Sequence, residues 1–167
     1  NRDFISSLEN WNLEIISPFF AEDTANREHK SFLDLGVERI FLFLPQDEEK
    51  TALCPLEYFE NIRAEQRVEW AEWTAVNKKN LGLNGPGFRR LHAKVYRFYN
   101  HRRSWIFVGS INFTHKAMYD NVEAGFLVPL DDATPWLEPI EDVNSIDRFT
   151  QPESLSSDRQ LSDGTYR

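Results

Sequence analysis

The sequence predicts an α/β fold, an α-β-α sandwich in which helices cover a mixed and mostly buried sheet. Short runs of β-branched and aromatic residues alternate along the chain with segments of helical apolar spacing, a pattern typical of α/β proteins. The chain of 167 residues has the size of one domain, and its apolar content of 41% is enough for a substantial core.

The first strand and the first helix are predicted near the N-terminus. Residues 13–16 form a short β run that Ser17-Pro18 stops. Asp23 or Thr24 is suited to cap the helix that follows. Gly36 closes this helix, because glycine tolerates the left-handed conformation common at helix ends.

Two further strands and a second helix follow. Residues 37–44 are rich in Ile, Phe and Leu and predict a buried strand. The helical spacing of apolar residues over 55–67 predicts a helix, with Pro55 well placed in its first turn. Apolar and polar residues alternate well enough over 68–76 to predict a strand. Residues 81–87 are rich in glycine and contain a proline, which predicts a loop.

The second half of the chain contains three more predicted strands, at residues 90–99, 105–108 and 122–128. The middle one is entirely apolar, which predicts a central position in the sheet. Gly109-Ser110 ends this strand and opens a helical turn that continues through Met118.

The amino-acid composition of the chain becomes more polar and acidic after Pro129. We therefore expect one domain over residues 1–130 and an acidic, polar tail or linker over 131–167. Trp136, Leu137 and Ile140 are the residues of this tail expected to dock on the domain. The tail is accordingly predicted to be partly docked.

Positive charge is concentrated in one segment of an otherwise acidic chain. Residues 77–119 contain no Asp or Glu, although the chain has 27 acidic residues and a formal net charge of −8. The basic residues of this segment are Lys78, Lys79, Arg89, Arg90, Lys94, Arg97, Arg102, Arg103 and Lys116. Such a cationic segment indicates an anion site, for example one for a phosphate group.

Composition also disfavours several classes of protein. No stretch of 18 apolar residues is present, so we expect no membrane partner. The single cysteine, Cys54, excludes an internal disulfide, fits a reducing, cytoplasmic compartment, and is interpreted as a buried apolar side chain. No cluster of Asp, Glu, His or Cys has metal-ligand spacing, so neither a metal nor another cofactor is expected.

His92 and Lys94 are the first candidate site residues. They are two positions apart on a predicted strand, which puts both side chains on the same face. An imidazole and an ammonium group do not stabilise each other. A shared anion is the simplest reason for placing them together.

A second group of candidates follows the strand at 105–108. Ser110 and Asn112 offer a hydroxyl and an amide, Gly109 permits close backbone approach, and a helix beginning near Ile111 would add backbone N–H groups to an anion pocket. Glu123 lies in an otherwise apolar run, where a carboxylate should be paired or functional. An imidazole would be a suitable partner for it.

These residues lie in motifs that resemble the signature of the phospholipase D superfamily. The segment Leu91–Tyr96 contains an H-x-K motif, residues 108–114 contain G-S-x-N-x-T, and residues 121–125 read N-V-E-A-G. The early Ile16-Ser17-Pro18-Phe19 resembles the end of the first strand in such domains. The resemblance covers about residues 12–130 and implies a phospholipase D/nuclease-like sandwich.

One position departs from the common pattern of this family. Most members carry an Asp five residues after the lysine, where this chain has Tyr99. The form with a glutamate after the G-S-x-N segment resembles metal-independent nucleases, including restriction endonucleases and helicase-linked phospholipase D-like proteins. The resemblance therefore implies a nuclease acting on DNA rather than a lipase.

The resemblance also implies a role for each residue. His92 would attack phosphorus and form a phosphohistidine, Glu123 would orient His92, and Lys94, Ser110 and Asn112 would bind the phosphate oxygens. The family uses a second histidine to protonate the leaving group. Because this chain has a single H-x-K, the second half is expected from a homodimer mate or another phospholipase D-like half.

Other interpretations remain open. Arg89, Arg90, Arg102 and Arg103 are candidate nucleic-acid contacts, although residues 101–103 are more simply a hairpin tip facing solvent. Taken alone, Glu123 could instead pair with a neighbouring arginine, Arg97. The alternatives to a nuclease are an inactive domain that binds nucleic acid or dimerises, and a phospholipase or phosphatidyl transferase.

Trp70, Trp73 and Phe88 are interpreted as core residues, with stacking on bases as the alternative.

Overall fold

The computed structural model describes residues 8–18, 20, 28–83, 93–114 and 116–150. These residues form an α/β fold around one seven-stranded mixed sheet with the strand order β6-β5-β4-β1-β2-β3-β7. The strands are β1 Asn12–Ile16, β2 Arg39–Phe43, β3 Val68–Trp73, β4 Val95–Tyr99, β5 Ser104–Gly109, β6 Gly125–Leu130 and β7 Leu137–Pro139.

The strand directions create one end of the sheet at which several segments of the chain meet. Strands β1, β2 and β3 are mutually parallel, and every other neighbouring pair is antiparallel. As a result β1 and β5 finish where β4 and β6 begin. We call this the site end of the sheet.

The described helices are α1 Glu28–Asp34, α2 Leu56–Arg63 and α3 Ala75–Asn80, with a π-helix at Lys116–Asp120 and a 3₁₀ turn at Val143–Ser145. Gly36 follows α1 with a φ of +93°, which confirms its predicted left-handed role. Pro55 was predicted in the first turn of α2 and instead occupies its cap position, one residue before the helix begins at Leu56. The predicted cap of the first helix lies outside the described residues.

The core consists of two clusters on opposite faces of the sheet. The first joins β1, β2 and β3 to α1 and α2, through Phe32, Tyr58, Phe59 and other side chains. The second contains Ile16, Phe41, Val95, Tyr99, Ile106 and Leu137 without any residue of a described helix. The described residues therefore supply a helical layer on one face of the sheet, and we call the other the helix-free face.

A buried ion pair links the two central strands on the helix-free face. Arg97 of β4 lies directly opposite Glu14 of β1, with 2.7 Å between Nη1 and Oε2, and both side chains are 0% exposed. The other carboxylate oxygen of Glu14 accepts the backbone N–H groups of Trp136 and Leu137 at 2.7 and 2.9 Å. Burial raises the pKa of Glu14, although the N–H of Leu137 and the Arg97 guanidinium oppose the shift.

This pair also holds the segment that follows β6. Arg97 donates to the Asp132 carbonyl at 3.1 Å and stacks on the ring of Trp136 at 4.8 Å. Leu137 then starts β7, which pairs with β3 at the opposite edge of the sheet from β6. The predicted docking of the tail is thus seen over residues 131–150, which cross the sheet; residues 151–167 lie outside the described part.

Three predicted elements differ from the structure. The apolar strand at 105–108 is second from the edge rather than central, because β6 alone lies beyond it. The predicted helical turn from Ser110 is wrong: residues 111–114 are not helical, and the first helical residue is Lys116. Helix α3 was not predicted; Thr74 caps it by accepting the N–H of Asn77 at 3.4 Å.

We predict that Arg97→Ala lowers the free energy of unfolding by about 3–5 kcal/mol, because it leaves the buried Glu14 carboxylate without its charged partner. Urea denaturation followed by circular dichroism measures the change. The matched control is Arg148→Ala, since Arg148 pairs with Glu49 where both side chains are more than half exposed. That control should change stability by less than about 1 kcal/mol. Equal losses in the two variants would contradict the prediction.

Candidate active site

Three segments lie side by side at the site end. The carbonyl of Lys94, one residue before β4, accepts the N–H of Gly109 at 3.3 Å. The N–H of Ser110 in turn donates to the carbonyl of Ala124 at 3.0 Å, one residue before β6. Neighbouring strands are about 4.8 Å apart, so Lys94, Ser110 and Glu123 occupy adjacent positions at one edge of the fold.

Glu123 is held by two polar side chains. The Ser110 hydroxyl donates to Oε2 of Glu123, and the amide of Asn121 donates to Oε1 at 3.2 Å. Ser110 Oγ also accepts the N–H of Ala124 at 3.1 Å. A hydroxyl has one proton, and the carboxylate is its strongest acceptor here. Ser110 thus fixes the orientation of Glu123.

The location of Glu123 differs from the sequence prediction in one respect. Strand β6 begins at Gly125, so Glu123 lies before the strand rather than inside it, and it is half-buried. The apolar residues around it are exposed rather than buried, because β6 is an edge strand. The carboxylate is nevertheless paired, since Ser110 and Asn121 both bind it.

Two glycines allow β5 and β6 to approach closely at this end. Gly109 and Gly125 are directly opposite each other in the register of the two strands. A Cβ on Gly109 would meet the carbonyl of Ala124 and the Cα of Gly125, and a Cβ on Gly125 would meet the ring of Phe107. Gly109 thus allows a close backbone approach, here of β6 itself, and this approach brings Ser110 within reach of Glu123.

Asn112 lies in a short segment that is clamped from both sides. The N–H of Phe113 donates to the Ser17 hydroxyl at 3.1 Å, and the Tyr96 hydroxyl donates to the Ile111 carbonyl at 3.2 Å. The side-chain oxygen of Asn112 is buried and has no hydrogen-bond partner in the described part of the chain. Because a buried polar atom without a partner is costly, this oxygen is available to a neighbouring donor.

Lys94 is half-buried, and no ion pair or side-chain hydrogen bond is seen for it among the described residues. Other lysines of the fold behave differently: Lys30 pairs with Glu65 at 3.5 Å and Lys78 with Glu72 at 2.5 Å. A partly desolvated ammonium group without a carboxylate partner is suited to bind an anion.

The other predicted site residues fall into two groups. His92, Arg89 and Arg90 lie outside the described residues. Arg102 and Arg103 form the exposed tip of the β4–β5 hairpin, as the hairpin interpretation predicted. This tip is at the opposite end of β4 from Lys94, about 16 Å away along the strand. The structure therefore does not bring these two arginines together with Lys94, Asn112 and Glu123.

Tyr99, at the position where the motif resemblance would lead one to expect an aspartate, is also far from the site end. It is the last residue of β4 and is buried on the helix-free face, where the Arg97 guanidinium lies 5.0 Å from its ring centre. Burial and the nearby Glu14 charge raise its pKa to about 12. The tyrosine is a neutral packing residue, and the departure does not alter the polar groups around Lys94.

Sequence reasoning missed the role of Ser17 and the true partner of Arg97. Ser17 is fully buried, and its hydroxyl fixes the position of the Asn112 segment by accepting the N–H of Phe113. In the sequence, Ser17-Pro18 indicated only the end of β1. The suggestion that Arg97 pairs with Glu123 is wrong, because its partner is Glu14. The hint in the sequence was a glutamate inside the apolar run 13–16.

Residues interpreted as core behave as predicted where they are described. Cys54 is fully buried, and Trp70 is buried and donates its indole N–H to the Phe59 carbonyl at 3.1 Å. Trp73 is half-buried against the second cluster, and Phe88 lies outside the described residues. Stacking of Trp70 on a nucleic-acid base is therefore excluded by its burial.

Two searches of the described residues gave no result. No group of three or more His, Cys, Asp or Glu side chains is arranged to hold a metal ion there. Within the same residues, no helix combines the length and apolar character needed to cross a bilayer.

No protein-family model matches the chain, and no curated protein matches it at a significant level.

We predict that the Cys54 thiol is unreactive in the folded protein. Burial raises its pKa to about 12, so at pH 8 the thiol rather than the nucleophilic thiolate is present. Labelling with a disulfide reagent should be slow in buffer and fast in denaturant. Fast labelling of the native protein would show that Cys54 is exposed and reopen a catalytic role for it.

Proposed function

We propose that the protein is a metal-independent phosphodiesterase, in particular a nuclease that cleaves DNA through a phosphohistidine intermediate. The proposal joins the motif resemblance around His92 to the polar groups gathered at the site end. It assigns His92 as the nucleophile, Lys94 and Asn112 as ligands of the phosphate oxygens, and Glu123 as the group that orients His92.

One observation carries the proposal: within the described residues, a partly buried ammonium group without a partner lies at the same end of the sheet as an amide side chain, whose N–H groups can donate to a phosphate oxygen, and an oriented carboxylate. Lys94 and Asn112 supply the first two and Glu123 the third. Each group alone has an ordinary structural explanation. Their convergence supports a site for an anion that also needs a carboxylate nearby.

The proposed reaction has two displacements at phosphorus. In the first, a nitrogen of His92 forms a bond to phosphorus while the bond to the leaving oxygen breaks, and a second imidazole protonates that oxygen. In the second, water attacks phosphorus and gives its proton to the second imidazole, and the phosphorus–nitrogen bond breaks to release His92. Lys94 offsets the negative charge of both transition states.

The second imidazole comes from a second copy of the chain in this proposal. Of the histidines in the described part, His29 is buried and lies 3.4 Å from Glu65, and His101 is at the hairpin tip opposite the site end. Neither can protonate a group bound near Lys94. An isologous dimer would supply another His92 by symmetry.

We predict that the purified chain cleaves plasmid DNA in the presence of EDTA and that His92→Ala lowers the rate roughly a thousandfold or more. The matched control is His101→Ala, which removes an exposed imidazole at the other end of β4 and should leave the rate unchanged. Intact DNA with the unmodified chain, across a range of salt and pH, would overturn the proposal.

A second substitution tests the phosphate ligand. Lys94→Gln keeps a polar, slightly shorter side chain and removes its charge, so the cleavage rate should fall about 100- to 1000-fold while the melting temperature stays unchanged. The control is Lys79→Gln, an exposed lysine of α3. If both variants lose activity equally, Lys94 provides only general attraction for DNA.

The same measurements separate the enzyme from a non-catalytic DNA-binding domain, an alternative favoured by Tyr99 at the position of the usual aspartate. Such a domain would bind DNA tightly without turnover, and His92→Ala would not change the affinity. The hairpin arginines can be examined in the same assay. If Arg102 contacts a phosphate, Arg102→Gln should lower the slope of log affinity against log salt by about 0.9.

A further inference from the structure

Side-chain alternation places Lys94 on the face of the sheet that α1 and α2 cover. In β4, Tyr96 belongs to the first core cluster, whereas Val95 belongs to the second. Lys94 is two residues before Tyr96 and therefore shares its face. An anion bound by Lys94 would lie on this helix-covered face, so the side chains beside Lys94 there decide what else of a substrate can be bound.

Two glycines leave a gap next to Lys94 on the helix-covered face. The carbonyl of Lys94 accepts the N–H of Gly109, and Gly109 lies opposite Gly125 of β6. Of these three residues in a row across the sheet, Lys94 alone has a side chain. The aromatic ring of Phe107 extends into the gap. A Cβ on Gly109 would lie 3.0 Å from its Cε1, and a Cβ on Gly125 would lie 2.6 Å from its Cε2.

The Phe107 ring is only partly covered by the rest of the fold. Phe107 is half-buried, and its ring meets that of Tyr96 edge-on with 6.1 Å between the ring centres. Leu127, which lies opposite Phe107 on β6, is 40% exposed and does not enclose the ring. Part of an aromatic surface is therefore open to solvent beside the row that contains Lys94.

The spacing of these two side chains suits a nucleotide. The Cβ atoms of directly opposite residues in an antiparallel pair are about 5 Å apart, and the Phe107 ring reaches the position opposite Lys94. A phosphate held by the Lys94 ammonium group would then lie near the ring without touching it. In a nucleotide a single sugar separates the phosphate from the base, so the base can reach the ring while the phosphate stays on Lys94.

We propose that Phe107 is the residue through which the site recognises a nucleoside, by stacking on the base attached to the phosphate that Lys94 binds. Every base has an aromatic face, so this contact distinguishes a nucleotide from other phosphodiesters without selecting a base sequence. The proposal rests on the proposed function for the position of the phosphate. It extends that function to specificity, with phosphodiesters of nucleosides as the preferred substrates.

The polar groups at the site end favour a base over a lipid acyl chain, the other apolar group that can accompany a phosphate. Ser110, Asn112 and Glu123 lie at the same end of the sheet as the ring. The edges of a base carry hydrogen-bond donors and acceptors that such groups can match. An acyl chain has none, and it would leave these polar groups without partners wherever it excluded water.

The test compares two phosphodiesters that share a p-nitrophenyl leaving group, in the presence of EDTA. One carries thymidine on phosphorus and the other a methyl group, so the ratio of their kcat/KM values isolates the contribution of the nucleoside. Phe107→Leu keeps an apolar side chain and removes the ring. It should lower this ratio about five- to fiftyfold, chiefly by raising KM for the thymidine diester.

Two further variants separate stacking from a structural role. Phe107→Tyr keeps an aromatic ring and should retain the ratio of the unmodified chain. Trp105→Leu removes a half-buried aromatic side chain from the same face of β5, two residues farther from the site end. Both Leu variants should lose some thermal stability, but Trp105→Leu should retain the ratio.

Binding gives a readout that needs no turnover. Isothermal titration calorimetry with thymidine 5′-monophosphate should show an affinity about five- to fiftyfold weaker for Phe107→Leu than for the unmodified chain. Inorganic phosphate has no base, so its affinity should fall less.

Several results would overturn the role of Phe107. They are an unchanged ratio in Phe107→Leu, an equal fall of the ratio in Trp105→Leu, and no binding of thymidine 5′-monophosphate by the unmodified chain. An equal loss of affinity for inorganic phosphate would do the same. So would an equal loss of kcat/KM with hexyl p-nitrophenyl phosphate, because the ring would then accept any apolar group, an acyl chain included.

Failure of the proposed function has a different signature. If neither diester is hydrolysed but Phe107→Leu weakens the binding of thymidine 5′-monophosphate selectively, the nuclease proposal falls and the role of Phe107 stands. If both diesters are hydrolysed, His92→Ala abolishes the reaction and Phe107→Leu leaves the ratio unchanged, the nuclease proposal stands and the role of Phe107 falls.

Discussion

The buried pair of Glu14 and Arg97 is the interaction on which the rest of the structure depends. It joins the two strands that connect the parallel half of the sheet, β1 to β3, with the antiparallel half, β4 to β6. A buried ion pair adds little stability compared with apolar packing, but either charge alone would be very costly. The pair therefore favours one register of β1 against β4, and that register brings Ser17 to the Asn112 segment.

The same pair explains why the chain crosses the sheet after β6. Each carboxylate oxygen of Glu14 needs partners once it is buried, and Arg97 satisfies only one of them. The backbone N–H groups of Trp136 and Leu137 satisfy the other, and the Asp132 carbonyl receives the second guanidinium nitrogen. The polar composition that suggested a partly docked tail or linker after Pro129 thus conceals a segment fixed by backbone groups, which a composition argument cannot detect.

Local sequence rules predicted the parts of the fold that depend on neighbouring residues. The strand before Ser17-Pro18, the helix closed by Gly36 and the helix begun by Pro55 are all present. The prediction of a helix after Ser110 was wrong because tertiary contacts outweigh the local preference. The Ser17 hydroxyl accepts the N–H of Phe113, and Phe113 is completely buried in the first cluster. Strand order could not be predicted either, since an apolar strand next to an exposed edge has the same local sequence as a central one.

The sequence was enough to select the residues of the candidate site but not to predict how deeply they are buried. Spacing alone brought Lys94, Ser110, Asn112 and Glu123 to attention, whereas their degree of burial depends on what lies beside β6. An anion site works best where water is excluded, because electrostatic attraction is then stronger. Glu123 and Lys94 are half-buried, so a bound phosphate would interact with their charges in a partly hydrated environment. The burial of these groups, rather than their spacing in the sequence, therefore determines how strongly the site attracts an anion.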